Sequence, residues 1–167
     1  MRILGIDPGY AIIGWGAIQY EGGRFRACDF GAVTTEAGTP FLQRLNRIYE
    51  EITDILISQR PDAMAIEKLY FQNNQKTAIE VAEARGVILL AAERCGVPVF
   101  EYTPLQVKSA VTGYGQAQKP QVMEMTRRLL RLQAVPKPDD TADALAIAIC
   151  HAQTGGTALK MRIMKGR

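Results

Sequence analysis

The order of apolar segments constrains this chain more than any other feature. Arg2-Ile-Leu-Gly-Ile-Asp7 reads as a short buried strand ending at a turn. Ile12 to Tyr20 and Arg24 to Val33 read as two more strands, joined by Glu21-Gly22-Gly23 as a hairpin. The period then changes. Thr39-Pro40 supplies an N-cap and a first-turn proline, and Phe41, Leu42, Leu45, Ile48, Ile52, Ile55 and Leu56 follow at helical spacing. Ala63 to Glu67 is a strand, about Gln75 to Cys95 a helix stopped by Gly96, and Val97 to Tyr102 the next strand. Thr103-Pro104 opens a short helix through Val111, and Gly113 to Gln118 forms a loop. Helices over about Pro120 to Leu132 and Asp140 to Gln153 complete the chain. A strand hairpin followed by βαβ-type alternation predicts an α/β fold, with a mixed five-stranded sheet flanked by helices. Residues 1–155 then form a single domain, and 156–167 a basic C-terminal tail.

Composition agrees with one soluble domain. Of 167 residues, 47% are hydrophobic and 22% charged, enough to bury a core without staples. Cys28, Cys95 and Cys150 lie too far apart for a paired-ligand motif and are expected to be reduced and mostly buried. His151 is the only histidine, which leaves almost no material for a zinc site. Asp7 and Pro8-Gly9 interrupt the apolar start, so no secretory leader is expected, and no run reaches the roughly 20 apolar residues of a membrane span. These features predict a cytoplasmic protein with no membrane contact.

Charge is unevenly divided. Residues 1–101 hold 10 Lys/Arg against 13 Asp/Glu, whereas residues 102–167 hold 10 against 4. A basic half suits a polyanionic partner, because its cations can replace counterions condensed on phosphate. A merely solvated surface explains the same counts equally well.

The helix over residues 75–95 has little polar face in its second half, with Val87, Ile88, Leu89, Leu90, Ala91 and Ala92 in succession. Such a helix must bury more than one stripe. Burial inside the domain would suffice, but in a one-domain chain burial against a second copy is favoured, which predicts a homodimer through this helix.

Four acids stand where elements end. Asp7 closes the first strand, and Glu67 closes the fourth. Asp140 and Asp143 lie three apart at the start of the last helix and share one face. Taken singly each has an ordinary explanation: an Asp-Pro-Gly turn, a solvated strand end, or a cap and dipole partner at a helix start. Taken together they can converge. If the first and fourth strands are parallel neighbours, Asp7 and Glu67 meet at one end, and a helix packed across that end adds the other two. Crowded carboxylates repel one another, which raised pKa values or a bound cation must relieve. Oxygen ligands select Mg²⁺ or Mn²⁺, and two such ions per site can drive an in-line displacement at phosphorus without histidine.

The segments Ile3-Leu-Gly-Ile-Asp-Pro-Gly9, Ala65-Ile-Glu67, Ala84-Arg-Gly86, Pro98-Val-Phe-Glu-Tyr102, Gln106-Val-Lys108 and Asp140-Thr-Ala-Asp-Ala-Leu-Ala-Ile-Ala148 resemble, in order, the RuvC family of Holliday junction resolvases. The resemblance spans residue 3 to about 151. It implies a ribonuclease-H-like fold, a homodimer, and paired symmetric nicks across a four-way DNA junction with Mg²⁺ or Mn²⁺. It places the family's four metal-binding carboxylates on Asp7, Glu67, Asp140 and Asp143. Some members carry histidine at the third of these positions, so the aspartate here makes an all-oxygen site. Asp139 is left either as a further ligand or as the helix cap.

The resemblance also marks residues at the DNA. Lys108, on the short helix, and Lys119, after the glycine-bearing loop, match family positions that hold or stabilise the scissile phosphate. For Lys108 a sequence-independent phosphate contact is an equal alternative. Tyr70 corresponds to an aromatic placed against unstacked bases, and Phe71 beside it can exchange roles with it. The family works beside the RuvA-RuvB branch-migration complex, although no residue here identifies that surface. The tail beyond residue 155 either binds DNA or is disordered.

Three rivals remain at this point. One is another ribonuclease-H-like nuclease that acts on RNA or an RNA–DNA hybrid, since carboxylates and metals do not discriminate substrates. Another is an actin-like ATPase, suggested by Ile6-Asp7-Pro-Gly9 but lacking a second copy of the motif. The third is a non-catalytic junction-binding dimer, against which the four intact acids argue.

Overall fold

The computed structural model describes residues 1–69 and 75–154. Five strands form one sheet: β1 (Arg2–Asp7), β2 (Ile12–Glu21), β3 (Arg24–Thr34), β4 (Ala63–Glu67) and β5 (Val99–Tyr102). Five helices accompany them: α1 (Phe41–Gln59), α2 (Gln75–Arg94), α3 (Pro104–Thr112), α4 (Lys119–Leu129) and α5 (Asp139–Thr154). The strand order is β3-β2-β1-β4-β5. The first three strands pair antiparallel through the hairpin, while β4 and β5 join β1 in parallel. This is the mixed sheet expected from the alternation of periods.

Strand alternation sorts the core into two layers. Leu4, Ile6, Ile13, Met64 and Ile66 pack with α1 and α2 on one face. Ile3, Ala65 and Tyr102 pack with α3, α4 and α5 on the other. The second layer is built around α5, whose residues Ala144 to Ala152 are buried without interruption. A helix apolar on all sides belongs in the middle of a domain, and α5 is that helix here.

Glycines let α5 come this close. A Cβ on Gly5 would collide with the backbone oxygen of Ala144, and one on Gly14 with the backbone oxygen of Asp140. The Thr141 hydroxyl donates to the carbonyl of Gly31 at 3.0 Å and ties the first turn of α5 to β3.

Several boundaries differ from expectation. Helix α1 begins at Phe41 with Pro40 as its cap and no side-chain cap bond, so Thr39 is not the cap. The carbonyl of Pro40 instead accepts from the backbone of Gln43 and Arg44. Strand β5 starts at Val99, two residues later than Val97, because Val97 is held by a backbone bond to Ala92 at the end of α2. Helix α3 has the predicted cap: Thr103 accepts from Gln106 in a reciprocal capping box. Helix α5 includes Asp139 as its first residue. The cysteines are all free, but only Cys150 is buried, while Cys28 and Cys95 are half-buried. No described helix is long and apolar enough to cross a membrane. The predicted tail, 156–167, lies outside the described residues.

Candidate active site

Asp7 and Glu67 are placed together by the sheet. Ile6 of β1 is in register with Ile66 of β4, so the next residue on each strand is an acid. Asp7 shares the parity of Ile3 and Gly5, and Glu67 that of Ala65, which directs both side chains to the face covered by α5. The close approach of Gly14 to Asp140 then sets the first turn of α5 over this end of the sheet, because Gly14 is also the register partner of Asp7.

The electrostatics record the convergence. Burial raises the pKa of Asp7 well above the usual carboxylate range, and repulsion from Glu67, Asp143 and Asp140 raises it further. Glu67 is pushed up to about 7, mainly by burial and then by Asp143, against the opposing pull of Lys108 and Lys119. The other three predicted acids therefore all bear on Asp7, and both predicted lysines bear on Glu67.

Lys119 is the first residue of α4 and sits among these acids. Its Nζ lies 2.8 Å from Asp143 Oδ2 and 3.9 Å from Asp139 Oδ2. The bond to Asp143 raises the pKa of its ammonium. Lys108, on α3, is half-buried and close enough to Glu67 to favour its charged form. Asp139 is drawn away from the acids: Lys137 Nζ donates to its Oδ1 at 2.6 Å and lowers its pKa. It stands at the rim of the cluster rather than among the acids that raise Asp7. Tyr70 and Phe71, predicted at the DNA, lie outside the described residues.

Sequence reasoning missed a clamp on the turn that follows Asp7. Arg44 of α1 is buried, and its guanidinium lies 4.3 Å from the ring centre of Tyr10. Its Nε donates to the Thr35 hydroxyl at 2.8 Å, and that hydroxyl donates to the Tyr10 carbonyl at 2.5 Å. A buried guanidinium held only by carbonyls, a hydroxyl and a ring is an unusual helix residue. The one signal in the sequence is an arginine interrupting the apolar spacing of residues 41–56.

His151 takes no part in the cluster. It is buried, its Nδ1 is 2.7 Å from the Tyr102 hydroxyl, and burial lowers its pKa to about 4. It is a neutral core histidine.

Among the described residues, no group of three or more His, Cys, Asp or Glu side chains is gathered tightly enough to enclose a metal ion. The acids repel one another, and the Lys119 ammonium is seated against Asp143. The set nevertheless fits a hard divalent cation in donor type and charge: four carboxylates, with repulsion that a cation would relieve.

Comparison with known proteins identifies the family. A family model described as crossover junction endodeoxyribonuclease RuvC matches residues 3–151. The chain is 60% identical to the Brevibacillus brevis crossover junction endodeoxyribonuclease RuvC, covering 92% of each. It is 57% identical to the protein of that description from Rubrobacter xylanophilus, over 90% of this chain and 84% of the relative. Among solved structures, Thermus thermophilus RuvC in complex with Holliday junction substrate is similar with a TM-score of 0.89 and 35% identity, covering 98% of this chain and 100% of that one. The yeast mitochondrial Holliday junction resolvase Ydc2 shares the fold at 14% identity, with a TM-score of 0.68 over 95% of this chain and 82% of that one. The chain belongs to the RuvC family of crossover junction endodeoxyribonucleases.

Proposed function

We propose that this protein resolves four-way DNA junctions by paired symmetric nicks, with Asp7, Glu67, Asp140 and Asp143 as the cleavage site. The observation that carries the reading is the environment of Asp7, a half-buried strand-end acid pressed by three others and relieved by Lys119. Mg²⁺ or Mn²⁺, two ions per site, would be held by these four side chains and would supply an activated water and charge neutralisation at the leaving oxygen. The chain's own residues do the rest. Asp7 and Glu67 are fixed by strand ends, so the donors are preorganised on rigid elements. Lys119 and Lys108 bring positive charge to the scissile phosphate. Lys119 can exchange its bond with Asp143 for one with phosphate, because its side chain is 53% exposed.

Dimerisation through α2 is part of the same reading. Its inner face, Ala84, Ile88, Ala91 and Ala92, is buried against the domain. Its outer face keeps Ile79 69% and Leu90 52% exposed, with exposed Ala82 and Gly86 between them. A stripe of this kind at helical spacing suits a second copy of itself. Two sites related by a twofold axis would then meet opposing strands of a near-twofold junction. A cytoplasmic location, with the RuvA-RuvB complex as partner, belongs to the same proposal. Tyr70 and Phe71 are proposed to stack on bases opened at the crossover.

The test is a strand-mapping experiment on a labelled four-way junction, a linear duplex and an RNA–DNA hybrid. Metal-dependent nicks at symmetric positions on opposing junction strands are expected. Cleavage of the hybrid in preference to the junction would replace this reading with that of a hybrid nuclease.

A further inference from the structure

The end of the sheet opposite the acids carries a second basic feature. Strand β2 leaves the site at Gly14, beside Asp7, and reaches the far end at Gln19, beside Arg2. Five strand residues cover roughly 17 Å. Helix α4 runs a similar way, from Lys119 at the acids to Leu129, roughly 15 Å at helical rise. Where the two arrive, the chain turns at Gly22-Gly23, both with positive φ, as a tight hairpin requires. Arg24 and Arg26 leave this turn on β3, and Arg128 and Arg131 stand at the end of α4.

These four arginines line one cleft of about 1000 Å³, with Phe25 among the other lining residues and Glu21 the single acid. Arg128 is engaged by Glu124 at 2.7 Å. Among the described residues, Arg24, Arg26 and Arg131 make no ion pair, although Glu21 is the register partner of Arg24. All three are exposed. Three uncompensated guanidinium groups around an open cleft call for an anion, and their planar forks match phosphate oxygens bidentately.

We propose that this cleft holds the phosphate backbone of a duplex arm of the junction, about five base pairs from the cleaved bond. The inference rests on the junction-resolving reading above and adds where an arm runs. The spacing carries it: roughly 15–17 Å along the duplex axis is about five base pairs, half a turn, where the phosphates facing the protein are those of the complementary strand. Helix α4, with Arg128 and Arg131 at its end, lies on the face of the sheet that carries Asp7 and Glu67, while Arg24 and Arg26 alternate with Phe25 and Ala27 and join the cleft at the hairpin end rather than through that face. An acidic segment of a partner protein would satisfy the charge, but it has no reason to sit one half-turn of duplex from the acids.

The test compares wild type with Arg24→Gln/Arg26→Gln/Arg131→Gln on a four-way junction with long arms, measuring binding across a salt series and cleavage at saturating protein. Weaker binding by roughly tenfold or more is expected, with a salt slope shallower by about two to three. Cleavage at saturation should stay within about twofold of wild type, which also reports that fold and site are intact. Neutral methylphosphonate linkages about five base pairs from the cut should weaken wild-type binding and leave the variant unaffected. Unchanged affinity and salt slope would overturn the proposal, and would be the result if the cleft serves an acidic protein. Loss of cleavage at saturation would overturn it too. Failure of wild type itself to bind or cut the junction would instead remove the reading on which the proposal rests.

Discussion

The Lys119 ammonium lies 2.8 Å from Asp143 Oδ2 and, together with Lys108, offsets the crowding of the acids. It lowers the pKa of both Asp7 and Glu67, against the burial and repulsion that raise them. It is a counterion to the acids, and in the proposed complex its exposed side chain would turn to phosphate.

Replacing Lys119 with Met should therefore have two effects. Ionisation of Asp7 and Glu67 becomes harder, so Mn²⁺ binding should require higher pH than in wild type, as calorimetric titration across pH 6 to 9 would show. Junction cleavage should fall about 10²-fold, while junction affinity changes much less. Equal loss of both would reduce Lys119 to an affinity contact.

Stability of the metal-free protein should depend on pH with a sign set by Glu67. Its pKa rises from 4.5 to about 7 on folding, so the folded chain keeps a proton that the unfolded chain has released. That contribution is fully present below pH 4.5 and is lost as pH rises to about 7. Glu67→Gln should consequently be more stable than wild type by about 1–2 kcal/mol at pH 8, with about 3 kcal/mol as the ceiling, and equal to it near pH 4. His151 works in the opposite sense. Its pKa is lowered from 6.5 to about 4, so its contribution is present above pH 6.5 and fades as pH falls. Urea unfolding of His151→Phe and Glu67→Gln beside wild type separates the two slopes.

The dimer reading is checked on α2. Leu90→Glu places a charge on the exposed stripe without touching the buried face formed by Ala84, Ile88 and Ala91. Sedimentation should show wild type as a dimer at micromolar concentration and the variant as a monomer with an unchanged circular dichroism spectrum. A monomeric wild type would leave the exposure of Ile79 and Leu90 without an explanation.

The parts of the site that sequence reading reached are those set by element ends. Asp7 and Glu67 each follow a short apolar strand, and parallel neighbours in register bring such ends together. Asp140 and Asp143 were open to a capping explanation, because a helix start looks alike whether its acids serve the helix or a neighbour. The contact between α5 and the sheet is what brings them near Asp7. That contact rests on Gly5 and Gly14, whose role depends on what lies opposite them, and nothing in a single sequence shows that. Thr39 misled for a related reason: capping chemistry is local, but the entry of α1 is fixed by Arg44 gripping Tyr10 and Thr35 across the fold. The pairing of Asp139 with Lys137 is likewise a matter of geometry at the helix start.

The central claim is that the acid cluster cuts junction DNA. Its most direct test is cleavage of a synthetic four-way junction by wild type and Asp7→Asn, with and without Mg²⁺ or Mn²⁺. Wild type should nick opposing strands only when metal is added, and Asp7→Asn should bind the junction yet leave it uncut. Undiminished cleavage by Asp7→Asn, or none by wild type with metal, would contradict it.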